Sequence, residues 1–193
     1  MIKTDPNDPN DPNAYKRQHM HNKHTDDLID HYWASIEYVS KLIQSSELKA
    51  GLILSIYGIM LNFIYQNIPM VVDKVTHDTF FYILLFIWFV ITVCSMYFSI
   101  RCFMPRIEGK YEKNIFFFGD IVSKFGDIKE FSRTFYNISI EEEKLFDQLG
   151  QQIYINSKIA SLKFKYVNKS LKLLALGLIL LLVIVIYYIV MTL

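Results

Sequence analysis

Gln152, Asn156 and Lys163 are the residues of this chain whose types and spacing best suit ligand chemistry. At about 100° per helical residue they project within roughly 40° of one another, on a face that also carries Ala160 and Val167. Two amides and an ammonium can together read the edge of a nucleobase and a phosphate. The same trio would also serve as a hydrogen-bond network between helices, and that is the plainer of the two readings.

Catalytic chemistry has no comparable candidate. The chain has no phosphate loop, no Gly-x-Ser-x-Gly elbow, no zinc-protease helix and no dinucleotide fingerprint, so it is not expected to be an enzyme. His19, His21, His24 and His31 cluster without cysteines or a carboxylate frame, which predicts a solvated polar tract rather than a metal site. His77 and Asp78 stand alone in a short link. Cys94 and Cys102 lie within or at the end of an apolar run, without the paired spacing of a metal or redox site, and read as membrane-packing residues. No metal and no cofactor are expected.

The elements that must position these residues follow from hydropathy. In a chain of 193 residues, 52% of them hydrophobic, residues 50–67, 79–103 and 173–193 contain almost no charge except Arg101. Each run meets the roughly 17–25 residues a helix needs to cross a bilayer core. The fold class expected is all-α, an integral membrane protein with three transmembrane helices and a helical cytoplasmic bundle. Formal net charge is only +1, yet twelve Lys and Arg residues lie in 104–172 and only Lys74 lies in 68–78. The positive-inside rule then places the N-terminus and the 104–171 segment in the cytoplasm and the C-terminus on the far side of the cell inner membrane. Mid-span Asp, Glu, Lys and His are missing from the runs, which argues against a proton- or ion-coupled transporter.

Along the chain, residues 1–24 read as a disordered tail, because Asp-Pro-Asn repeats three times between Asp5 and Asn13. Thr25 predicts the start of an amphipathic cytoplasmic helix over 25–49, with Ile29, Tyr32, Ile36, Val39 and Ile43 on one side. Residues 50–103 form a transmembrane hairpin. Gly51, Ser55, Gly58 and Asn62 would pack its first helix against Thr92, Ser95 and Ser99 on its second. In 104–171 the spacing predicts helix over 114–125, a turn at Gly126 and Asp127, and helix over 128–136. A capping box at Ser139 and Glu142 then opens a long helix that continues into the third crossing, 172–193. Leu145, Leu149, Ile155, Ile159, Leu162 and Tyr166 give that helix its apolar stripe. A segment of this size falls below the roughly 70–80 residues at which one core suffices, so a homo-oligomer is expected.

Glu47, Lys49 and Ala50 before the first crossing, Pro105 after the second, Asn114 with Phe117-Phe118-Gly119-Asp120, then Gln152-Ile153, Ser157, Ile159-Ala160 and Lys163 form an ordered pattern around the three apolar runs. Over residues 46–190 the chain resembles the transmembrane effector of Pycsar anti-phage systems. The resemblance implies a partner pyrimidine cyclase that makes cyclic CMP or cyclic UMP on infection, and an effector that answers by impairing membrane integrity and halting the infected cell. It implies a lipid bilayer and a cyclic pyrimidine nucleotide as partners, and no nucleic acid polymer. With about 45 residues ahead of the first crossing, no separate nucleotide-binding barrel is expected there. Sensing is therefore assigned to the cytoplasmic segment, with Gln152, Asn156 and Lys163 as ligand contacts and Asn114 and Asp120 as secondary ones. The alternative is a non-enzymatic membrane anchor or scaffold that recruits a protein partner through its cytoplasmic helices.

Overall fold

The computed structural model describes residues 14–74, 78–104 and 113–192, with side chains from Lys23 onward except at 70 and 72–74. Those residues form α1 (Ala14–Lys74), α2 (Thr79–Phe103), α3 (Phe118–Ser123), α4 (Ile128–Ile140) and α5 (Glu142–Thr192). No strand occurs among them. The stretch Lys23–Pro69 of α1, together with α2 and α5, is long and apolar enough to cross a bilayer. The all-α membrane architecture is the one expected.

Several boundaries are not. α1 starts at Ala14, because residues 14–24 contain neither Pro nor Gly and nothing beyond Pro12 stops the helix. Thr25 therefore lies inside a helix, and its hydroxyl donates to Glu142 Oε1 at 2.8 Å instead of capping. The Asp-Pro-Asn repeats lie outside the described residues. Only Phe118–Ser123 of the expected 114–125 helix forms, since the side chain of Asn114 accepts from the N–H of Phe116 at 2.8 Å and bends the chain first. The Gly126–Asp127 turn is present: Gly126 has φ +66°, and Asp127 caps α4 by accepting from the Glu130 N–H at 2.7 Å. Ser139 does not open α5. Its hydroxyl donates back to the Phe135 carbonyl at 2.7 Å, α4 runs on to Ile140, and Glu141 breaks the helix with extended dihedrals of −101° and 102°.

The chain divides into two compact units, one of Met1–Val39 with Tyr111–Asn156 and one of Ser40–Lys110 with Ser157–Leu193. α1 and α5 contribute to both. In the first unit, Val39, Ile115, Phe125, Leu149 and Ile155 are buried. Aromatic rings surround them: Trp33 meets Phe116 edge-on at 5.5 Å, Tyr32 meets Phe146 at 5.3 Å, and Phe131 lies 5.5 Å from Phe125 and 5.8 Å from Phe135. Phe118 points outward. At Gly119 a side chain would begin 2.9 Å from the Phe117 ring, so the ring would have to turn aside to admit one.

The second unit holds the apolar runs. α1 buries Ser46, Ala50, Ile53 and Tyr57, α2 buries Trp88, Thr92, Ser95, Ser99 and Cys102, and α5 buries Lys163, Val167, Ser170 and Leu174. Spacings of three and four on each helix are those of a left-handed coiled seam. Small and polar side chains lie inward while Ile59, Phe63, Phe86 and Ile179 face outward, as suits a bundle whose solvent is hydrocarbon. The Ser170 hydroxyl sits 2.7 Å from that of Ser99 and 3.0 Å from that of Ser95 and donates to the Ser95 carbonyl at 2.8 Å. The expected α2 face is therefore buried, with its serines meeting Ser170 of α5.

Its expected partner on α1 is not. Ser55, Gly58 and Asn62 are exposed, Gly58 has nothing within 4 Å of where a side chain would begin, and Gly51 reaches only Phe103 at 3.9 Å. These four lie about 140° around the helix from Ala50, Ile53 and Tyr57. One face of α1 meets the neighbouring helices here, and it is the face of Ser46, Ala50, Ile53 and Tyr57.

At the start of α2, Asp78 caps the helix by accepting from the Phe80 and Phe81 N–H groups at 2.9 and 3.4 Å. The Tyr187 phenol donates to its other oxygen at 2.6 Å. That phenol hydrogen bond is the main cause that holds the Asp78 carboxyl below the ordinary aspartate value, with the two backbone N–H groups adding to it. The His77 side chain lies outside the described residues.

Candidate ligand site

In the first unit, α5 presents amides at Gln148, Gln152 and Asn156, four residues apart on one side. Gln148 is the anchor of the turn ahead of α3. Its side-chain oxygen accepts from the Ile115 N–H at 3.0 Å, and its carbonyl accepts from the Asn114 amide at 2.7 Å. Asn114, fully buried, also donates its backbone N–H to Asp120 Oδ2 at 3.0 Å, and Asp120 Oδ1 pairs with Lys124 at 2.9 Å. The structure brings Asn114 and Asp120 together as a brace. Asn114→Ala removes two hydrogen bonds and strands the Phe116 N–H, so it is expected to cost about 2 kcal/mol of stability, read by thermal unfolding in micelles. Retained stability would mean that the turn folds without its brace.

Gln152 and Asn156 are different. Gln152 is 7% exposed; its Nε2 donates to Asn156 Oδ1 at 3.2 Å, and its Oε1 has no hydrogen-bond partner among the described residues. A buried amide oxygen without a donor is costly, and such orphans are uncommon in native proteins. It is an acceptor facing inward with its lone pairs unused.

Lys163 does not join them. It belongs to the second unit and is 4% exposed. Its ammonium donates to Glu47 Oε1 at 2.5 Å and to the Cys102 carbonyl at 2.9 Å. That carbonyl lies in the last turn of α2, where helix carbonyls lack internal partners, so Lys163 both caps α2 and neutralises Glu47. The Cys102 thiol donates to the carbonyls of Ser46 and Lys163, at 3.6 Å each. The three elements are fastened at one point. A shared face on a helical wheel cannot show that a lysine's charge is already met by residues far away in sequence. Glu47 and Gln148 were missed as partners, although amides recurring every four residues mark the second.

Other regions offer a nucleotide less. Two grooves in the second unit are lined by Ile64, Ile68, Tyr82, Leu85 and Trp88 with no charged side chain. No group of three metal-ligating side chains occurs among the described residues, and His24 and His31 are exposed.

The model of the Pycsar effector protein domain, PycTM, matches residues 31–190. The chain belongs to that family. It is 26% identical over 157 residues to the Pycsar effector protein PtPycTM of Propioniciclava tarda, covering 76% of this chain and 73% of the relative. It is 32% identical over 141 residues to the Pycsar effector protein SaPycTM of Staphylococcus aureus, covering 72% of this chain and 83% of the relative. No solved structure matches the chain. The PycTM match takes in both compact units, and with three helices fit to span a bilayer it makes this chain a membrane effector of Pycsar anti-phage defence.

Proposed function

We propose that this PycTM effector is switched by a cyclic pyrimidine nucleotide, cyclic CMP or cyclic UMP, made by a partner cyclase, and that the switched form impairs membrane integrity and halts the infected cell. The observation that carries the sensing half is the buried, unpartnered oxygen of Gln152 beside Asn156. Cytosine offers an exocyclic amine and uracil a ring N–H, and either would satisfy that oxygen. Asn156 would then take the neighbouring base atom. The response is binding rather than turnover, and the effector works as a homo-oligomer in the cell inner membrane with its N-terminus cytoplasmic and its C-terminus on the far side. The route to the bilayer is α1 and α5, which contribute to both units. Ligand must favour one packing of these helices over another, and a shift from mostly closed to mostly open takes about 5.5 kcal/mol of differential affinity.

Titration of the protein in lipid nanodiscs with cyclic CMP and cyclic UMP tests this directly. Gln152→Leu removes an unsatisfied acceptor along with one long hydrogen bond to Asn156, so the fold should lose no more than about 1 kcal/mol. Its affinity for the nucleotide should fall about tenfold or more, roughly 1.4 kcal/mol. Binding of neither nucleotide to the wild type overturns direct sensing. Equal binding to both proteins moves the site elsewhere. In cells, co-expression with the cyclase should collapse membrane potential, whereas a scaffold would leave it intact and co-purify with a stable protein partner.

A further inference from the structure

Two more polar atoms of the second unit, Trp88 Nε1 and Thr92 Oγ1 of α2, have no hydrogen-bond partner among the described residues, and Tyr57 Oη of α1 has only the Ser95 hydroxyl beside it. All three residues are at least nine-tenths buried, and all lie within the apolar runs, where no lipid group can satisfy a hydroxyl or an indole N–H. Two of them converge. A side chain at Gly177 of α5 would begin 4.0 Å from both Trp88 Nε1 and Tyr57 Oη, and its absence leaves room beside them. Thr92 stands one turn along α2 from Trp88 on the same buried face. On one side of this cluster the hydroxyls of Ser95, Ser99 and Ser170 satisfy one another, and on the other Phe81, Trp88 and Ile184 close an apolar plug.

We propose that Tyr57, Trp88 and Thr92 hold a buried water inside the membrane bundle, and that this hydrated point is where the barrier to ions first gives way when the effector fires. The chemistry fits water and not a cation. An indole N–H only donates, so the ligand must accept, and the two hydroxyls can each donate or accept in return. A water with two to four such partners is bound as part of a structure. The second half of the proposal rests on the membrane-impairing reading above.

Two substitutions in the full-length protein in nanodiscs decide the first half. Thr92→Val keeps the shape and removes the hydroxyl. Gly177→Ala adds a methyl that fits at ordinary contact distances, 3.6 Å from Ile91 and 4.0 Å from Trp88 and Tyr57. In a dry cluster both should stabilise, one by deleting an orphan and the other by filling space and replacing a helical glycine. With water bound, one removes a partner of the water and the other expels it, so each should lower the folding equilibrium constant about fivefold. A rise or no change in either overturns the water site. For the second half, Thr92→Val should slow nucleotide-triggered loss of membrane potential about tenfold. Equal rates with an active wild type overturn the leak assignment alone, while an inactive wild type overturns the functional reading and leaves the stability test standing.

Discussion

Glu47→Ala is expected to cost about 3 kcal/mol of stability, while Lys163→Met should cost only about 1–2 kcal/mol. The asymmetry comes from burial. The Lys163 side chain is 5% exposed and that of Glu47 is 38% exposed, so removing the carboxylate leaves an ammonium nearly out of solvent with one carbonyl to hold it. Removing the ammonium instead leaves a carboxylate that water still reaches. The double variant should recover most of what Glu47→Ala alone loses, because no buried charge is left. Equilibrium unfolding in mixed micelles reads all three, and an equal cost for the two single variants would show that the pair behaves as a surface contact.

Ser170→Leu should be comparably damaging, at about 3 kcal/mol, against about 1 kcal/mol for Ser170→Ala. Ser170 has no exposed surface, and its hydroxyl touches two serines of α2 at 3.0 Å or less. Alanine removes one side of that network and keeps the close approach of the helices. Leucine adds bulk that only a parting of α2 from α5 can accommodate. A cysteine pair engineered across the same seam should cross-link in the alanine variant and fail to do so in the leucine variant. Equal stabilities would mean that the serines meet without tight packing.

Hydropathy made the membrane architecture legible because hydrocarbon imposes a long, simple demand that residues 79–103 and 173–193 meet without ambiguity. The buried polar face of α5 was also legible, since Gln152, Asn156, Ala160, Lys163 and Val167 share one side and all are buried. What failed were judgements that needed a partner. Helical spacing groups Gly51, Ser55, Gly58 and Asn62 correctly, yet cannot say whether that face or the Ala50–Ile53–Tyr57 face meets another helix. Ser139 has the sequence of a cap, but its hydroxyl chose a carbonyl one turn back. Lys163 has the chemistry of a phosphate ligand, but Glu47, remote in sequence, reached it first.

Asp78 sits at the other margin of the same unit, holding the start of α2 and the Tyr187 phenol at once. Its carboxyl, held below the ordinary aspartate value, is the anion throughout the neutral range, so this fastening weakens as the pH falls below that value. Together with the Glu47–Lys163 clasp it leaves α1, α2 and α5 fastened at one margin and α2 with α5 at the other. Any rearrangement that keeps both fastenings must therefore move α2 and α5 as a pair.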